Sequence, residues 1–277
     1  MTGNQNATDF DQLTELAKSL RKDVLIMTSE AGSGHPTSSM SAVEVMTSLY
    51  FGGIMRYDAS NPSKPDRDRF ILSKGHASPI LYAVLAEAGY IKKDQLNTLR
   101  KIDSPLEGHP NMLRVPGVEA STGSLGQGLS MGLGHALNAK LDKLDYNVYV
   151  MMGDGEIQQG QVWEAAMAAA NFNASNLVAI VDLNGYQQTG PVSSVTNPAA
   201  YAEKWKAFGW NTVEVDGHDI KATHQALVDA TAYSDGPSAI IAHTKKGKGV
   251  SFLEADFSWH GRGVPKDRLE EALEEIG

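Results

Sequence analysis

Asp154 and Asn184 are the residues whose types and spacing point most directly to chemistry. Asp154 stands inside Gly153-Asp154-Gly155, Asn184 opens Asn184-Gly185, and the two are 184 − 154 = 30 residues apart. One carboxylate and one amide oxygen at that separation suit a hard divalent cation such as Mg²⁺, which takes oxygen ligands and leaves much of its shell to phosphate and water. Gly153 and Gly155 leave room for a diphosphate to approach backbone amides, beside the N-terminus of the helix that follows. Alone, Gly-Asp-Gly reads as a turn; Asn184, one crossover later, favours the metal site. Four of the eight histidines add proton chemistry. His35, His76, His109 and His260 each sit with glycine or proline in a loop of the kind that lines clefts. His135 and His224 fall in helical stretches, His243 at a strand end and His218 in a turn, and these read as structural or exposed.

These residues need elements to position them. The apolar run Tyr146 to Met152 reads as a buried strand, Gln161 to Phe172 as an alanine-rich helix, and Leu177 to Leu183 as a second strand. Strand, helix and strand in that order form a crossover with parallel strands. Asp154 and Asn184 then both fall at carboxyl ends, the edge where open α/β sheets bind ligands. Further strands are expected at 69–74, 210–215 and 238–243. Helices are expected from Asp9 through Met27 and at 41–51, 78–87, 129–143 and 220–233, with a short acidic helix at the end. The alternation predicts an α/β fold, a mostly parallel sheet of about five strands with helices on both faces. Residues 1–7 are expected to be loose, and Arg67, Asp68 and Arg69 to lie on a solvated shoulder. Gly126-Gln127-Gly128 lacks the preceding strand of a dinucleotide loop, and Thr244-Lys-Lys-Gly-Lys-Gly249 lacks the spacing of a P-loop.

Composition narrows the class. The chain has 277 residues, 42% hydrophobic and 21% charged, values of a soluble globular protein with a large core. A formal net charge of −9 argues against nucleic acid and anionic membranes as partners. With no cysteine, disulfides and thiolate chemistry are excluded. The N-terminus lacks the apolar core of a signal peptide and no run reaches membrane-spanning length, so a cytoplasmic location is expected.

Gly153-Asp154-Gly155 through Asn184 resembles the thiamine diphosphate motif shared by transketolases and 2-oxo acid dehydrogenases and decarboxylases. Further words narrow the resemblance to transketolases: Ser33-Gly34-His35-Pro36, Lys74-Gly75-His76-Ala77, Gly108-His109-Pro110, Thr122-Gly123-Ser124-Leu125-Gly126-Gln127-Gly128 and Trp259-His260-Gly261, in the family's order. The resemblance covers essentially the whole chain as one thiamine diphosphate-binding domain, residues 1–277, in the fold of the family's diphosphate domain. It implies Mg²⁺, or Ca²⁺ or Mn²⁺ in its place, held by Asp154, Asn184 and the main-chain carbonyl of Tyr186. It also implies that His76, Gly155 and His260 approach the diphosphate, with Gly123 and Leu125 beside the aminopyrimidine and Gln188 beside the thiazolium. Glu164 stands at its expected place in the cofactor's surroundings. His35 and His260 are then the proton-handling groups for the ketose hydroxyl, and His109 holds the transferred fragment. The implied reaction moves a two-carbon glycolaldehyde unit from a ketose phosphate to an aldose phosphate, as in pentose phosphate metabolism. A full transketolase continues into a pyrimidine-binding and a C-terminal domain. The resemblance therefore implies the N-terminal subunit of a split enzyme, paired with a C-terminal subunit in an α₂β₂ assembly.

Two positions depart from the family. Gln159 stands where glutamate is usual, and Gln188 where an apolar residue is usual; an amide cannot trade protons as a carboxylate can. Two rival readings follow. One is the α subunit of another thiamine diphosphate enzyme acting on 2-oxo acids, which would not need four cleft histidines. The other is a non-catalytic partner, to which Gln159 and Gln188 lend weight and which the retained Asp154, Asn184 and four histidines oppose.

Overall fold

The computed structural model describes residues 8–277, so the expectation of a loose segment at 1–7 lies outside the described residues. Asp9 caps the first helix, α1 (Phe10–Ala31), by accepting from the Asp11 and Gln12 amides. Gly32, at φ 62°, ends it in the left-handed conformation and turns the chain into the first histidine loop. The expected helix at 41–51 is α3 (Val43–Phe51), and a short helix that was not expected, α2 (Pro36–Met40), precedes it. Pro36 starts α2 because a first helical position needs no N–H, so the helix begins directly after His35.

The α/β alternation follows as β1 (Arg69–Leu72), α4 (Ser78–Glu87), α5 (Gly128–Asp142), β2 (Val148–Gly153), α6 (Gly160–Asn171) and β3 (Leu177–Leu183). A short antiparallel hairpin comes next, β4 (Tyr186–Gln187) with β5 (Gly190–Pro191). Then come α7 (Tyr201–Ala207), β6 (Asn211–Asp216), α8 (Ile220–Ala232), β7 (Ser238–His243) and α9 (Leu269–Ile276). The five long strands form one parallel sheet in the order β1-β2-β3-β7-β6. The hairpin was not visible in the apolar pattern, because each of its strands is two residues long.

Alternate side chains of each strand feed separate apolar layers. Tyr149, Met151 and Ile180 pack under α1, α3, α4, α8 and α9, whereas Val148, Val150 and Val181 pack under α5, α6 and α7. Helices thus cover both faces, as expected. No helix among the described residues is long and apolar enough to cross a membrane.

Arg67 and Asp68 overturn the expectation of a solvated shoulder: they are 8% and 0% exposed. Asp68 accepts from the Arg56 and Asn147 amides and from the Arg56 guanidinium, and Arg67 pairs with Glu119. A charge run reads as surface until its partners, distant in sequence, are known.

Two glycines of α5 make a test of the packing. A methyl on Gly132 would collide with Val150, while one on Gly134 would meet nothing within 4 Å. Gly132→Ala is expected to destabilise by about 1–3 kcal/mol through overpacking. Gly134→Ala is expected to gain up to about 1 kcal/mol through helix propensity. Thermal melts should therefore move in opposite directions, and a stabilised Gly132→Ala would refute this packing.

Candidate active site

Parallel pairing of β2 with β3 places Gly153 opposite Asp182, and Asp154 and Asn184 follow at the same carboxyl edge. The Asp154 carboxylate accepts from the Gly155 amide at 2.8 Å and the Gly185 amide at 2.7 Å. Asn184 donates its Nδ2 to Asp182 at 2.8 Å, which fixes the orientation of its amide and leaves Oδ1 facing the Tyr186 N–H at 3.2 Å. Burial, and secondarily the neighbouring Asp182, pushes the Asp154 carboxyl up to about 7.

That geometry fits a hard cation on physical grounds. A buried carboxylate beside a second one is relieved by a positive ion, and Asn184 and Tyr186 line the same cavity. Among the described residues no three histidine or acidic side chains gather as a metal cluster. A metal here would therefore depend on ligand oxygens beyond the protein's own, the arrangement Mg²⁺ favours.

Asp182 is the buried hub beneath these ligands. It takes Lys74 Nζ at 2.5 Å, Ser41 Oγ at 2.7 Å and Thr244 Oγ1 at 2.5 Å. Burial pushes its carboxyl up, but Lys74 and the hydroxyl donors outweigh that and hold it below its ordinary value. Lys246, 1% exposed, donates to Ser38 Oγ at 2.7 Å and is pushed down to about 8 by burial and then by Lys74. Two lysines thus face one cavity of about 450 Å³.

Three of the loop histidines meet at its other wall. The His35 ring lies 5.2 Å from His76 and 5.1 Å from His260, and His76 lies 5.2 Å from His260. Burial, then His260 and Arg100, lowers His35 to about 3; burial, then Lys246 and Lys74, lowers His260 to about 4. His76 is lowered by burial and Lys74, and His109 by burial and Arg100. All four are therefore neutral at pH 7, able to accept or donate. The Nδ1 atoms of His35 and His260 are buried without a hydrogen-bond partner among the described residues, and both residues line the cavity, which leaves those atoms open to a ligand there.

Gly123, at φ 131°, takes the His109 ring where a Cβ would stand, so the glycine seats that histidine. Leu125 and Gln188 line the cavity with Gly153, Gly155 and Tyr186. Glu164 is not among the lining residues; it lies exposed on α6. Gln159 lines the cavity with its Cβ packed against Gly126. The Gly153 amide, expected to face a ligand, is taken by Glu156 Oε2 at 3.0 Å.

Glu156 itself escaped the sequence reading. Its carboxylate also accepts from Ser73 Oγ at 2.5 Å and the Gly126 amide at 2.8 Å, joining three loops of the site. Lys74, Ser38, Asp182 and Lys246 were missed too. Lys74 lay in view inside the Lys-Gly-His-Ala word, and Lys246 inside the basic run set aside as no P-loop. The available signal was position: both follow strands, β1 and β7, at the sheet edge that carries Asp154.

The family pattern "Transketolase, thiamine diphosphate binding domain" matches residues 13–277. The chain is 45% identical to the transketolase-like protein 2 of Bos taurus over 97% of its own length and 43% of that protein's. It is 41% identical to one subunit of the apulose-4-phosphate transketolase of Phocaeicola vulgatus, over 92% of this chain and 90% of that protein. The crystal structure of the Campylobacter jejuni transketolase superposes with a TM-score of 0.91 at 31% identity, covering 97% of this chain and 43% of that one. The chain thus spans less than half the length of the full-length transketolases it matches.

Proposed function

The chain belongs to the transketolase family, as its thiamine diphosphate-binding domain, and from that premise we propose that it is the cofactor-binding subunit of a two-chain transketolase. The carrying observation is the single cavity in which four neutral histidines face the Asp154 and Asn184 edge. The near-complete coverage of a relative that is itself one subunit of its enzyme supports a partner chain; the proposal gives that partner the pyrimidine-binding and C-terminal domains and the pair an α₂β₂ assembly. The substrates proposed are a ketose phosphate donor and an aldose phosphate acceptor.

Thiamine diphosphate, when bound, supplies the electron sink for breaking the ketose C2–C3 bond. Asp154, Asn184 and the Tyr186 carbonyl would hold Mg²⁺, and Lys74 and Lys246 would offset diphosphate charge from beneath. His35 and His260, neutral and with free Nδ1 atoms, move the proton of the ketose hydroxyl. His109, seated on Gly123, orients the two-carbon fragment. Glu156 keeps the loops of Gly126 and Gly153 in register.

The test is glycolaldehyde transfer to ribose 5-phosphate from xylulose 5-phosphate or apulose 4-phosphate. It is run for the chain alone and co-purified with its partner, with thiamine diphosphate and Mg²⁺. Transfer by the pair is expected from one donor or both. A pair that binds the cofactor yet transfers from neither would sink the proposal.

A pH dependence follows from Asp154. Its folded value, about 7, lies above that of a free carboxyl. The metal-free fold therefore keeps a proton there that stabilises it at low pH, and that contribution is lost as pH rises through about 7. Mg²⁺ must displace the proton, so its affinity should climb from pH 6 towards 7.5 and level off above. Calorimetry at pH 6 in two buffers of different ionisation enthalpy should find nearly one proton released per ion, and none in Asp154→Asn.

A further inference from the structure

Arg100 has an unusual setting for an exposed arginine. Its backbone is left-handed, φ 59°, a strained conformation for a residue with a side chain, and is held there by its N–H bond to the Leu106 carbonyl at 2.8 Å. The side chain then reaches back over two loops at once. Nη1 donates to Ser33 Oγ at 2.8 Å, two residues before His35. The guanidinium lies flat against Gly108, one residue before His109: a Cβ there would stand 2.5 Å from Nη2, 2.7 Å from Cζ and 2.8 Å from Nε. A side chain at Gly108 would displace the guanidinium from this place.

The opposite side of the His109 loop is tied to α4. Ser78 Oγ donates to the Gly108 carbonyl at 3.0 Å, and Tyr82 Oη to those of Glu107 and His109 at 2.9 and 3.3 Å. The loop is therefore held between α4 and Arg100, and Arg100 carries a connection onward to the His35 loop through Ser33. Among the described residues Arg100 forms no ion pair with a carboxylate.

We propose that Arg100 is a positioning residue for the transfer reaction: its guanidinium bridges the Ser33–His35 and Gly108–Pro110 loops and fixes the spacing of His35 and His109 across the cavity. This rests on the two-chain transketolase reading, since the two histidines are the groups that would meet the sugar. A second consequence is electrostatic. The largest charged or titratable influences on His35 are His260, Arg100, Lys246 and His109, and on His109 it is Arg100, while the carboxylates lining the same cavity are Asp154 and Glu156. The clamp therefore also favours the uncharged imidazoles that proton transfer at neutral pH requires.

The experiment compares Arg100→Met, Arg100→Lys and Ser33→Ala with the natural chain, in turnover by the assembled pair and in histidine NMR titrations of the full chain alone. Arg100→Met is expected to lower kcat by about 10- to 100-fold, the scale of an ångström's misplacement, and to move the His109 midpoint upward. Arg100→Lys, keeping charge without the fork, should hold the His109 midpoint low and still lose turnover. Ser33→Ala removes one exposed bond, leaves folding unchallenged and should lower kcat less, with the His109 midpoint unmoved. Natural turnover in Arg100→Lys would reduce Arg100 to a charge and overturn the bridge; an unmoved kcat in both Arg100→Met and Ser33→Ala would overturn it as well. If the natural pair shows no transfer, the functional reading fails by itself. The bridge is then judged on the isolated chain in Arg100→Lys, which keeps the charge and loses the fork: His35 and His109 ring shifts identical to those of the natural chain would overturn it.

Discussion

Asp154→Ala is expected to lower transfer by the assembled pair at least about a thousandfold, beyond the roughly 10- to 100-fold that loss of an outer-shell partner of a metal typically costs. The cavity is lined by two carboxylates, Asp154 and Glu156. Glu156 accepts from Ser73, Gly126 and Gly153, whereas Asp154 takes one backbone amide on each oxygen and keeps a lone pair on each, so of the two it is the carboxylate better able to hold a cation. The fold should not suffer in proportion. Burial and Asp182 push the Asp154 carboxyl up to about 7, so the side chain is uncomfortable where it stands, and its loss relieves that while freeing the Gly155 and Gly185 amides. The variant is thus expected to melt close to the natural chain without ligands, and to lack the rise in melting temperature that thiamine diphosphate with Mg²⁺ gives the natural chain. A site that is locally unfavourable until loaded is the usual trade of stability for function. Transfer within tenfold of the natural pair would show that Asp154 does not hold the metal.

Much of this was legible in the sequence because it is local. The runs 146–152 and 177–183 are apolar for long enough to be buried strands. The crossover between them has one handedness, and that was sufficient to put Asp154 and Asn184 on one edge. The histidine loops declared themselves by glycine and proline. What was hidden depends on partners far away in the chain. Asp182 lies inside the expected strand 177–183, and nothing near it announces Lys74, 108 residues earlier, or Thr244, 62 residues later. Arg67 and Asp68 read as surface for the same reason. Glu156 was overshadowed by the Gly-Asp-Gly beside it, and its part is clear only once Ser73 and Gly126 are beside it.

The ion pair beneath the site should carry the largest stability effect in the molecule. Lys74 and Asp182 side chains are 1% and 0% exposed and 2.5 Å apart. Such a pair gains little over a well-packed apolar replacement, because removing two charges from water offsets their attraction. Removing one partner is different. Lys74→Met leaves the Asp182 carboxylate with Ser41, Thr244 and Asn184 as donors and no bonded cation, and breaking a buried pair this way costs about 3–5 kcal/mol. At roughly 2–4 °C per kcal/mol for a chain of this size, the melting temperature should fall by about 10 °C. Adding Asp182→Asn should recover most of the loss, since a neutral amide can still exchange hydrogen bonds with Ser41, Thr244 and Asn184. The double variant should nevertheless bind thiamine diphosphate weakly, because it returns stability without returning the Lys74 cation. Stability and cofactor affinity would then separate at one pair of residues. A Lys74→Met chain that melts within about 2 °C of the natural one, with less than about 1 kcal/mol lost, would mean that the pair is dispensable. The hydroxyl donors alone would then be holding Asp182 in its charged form.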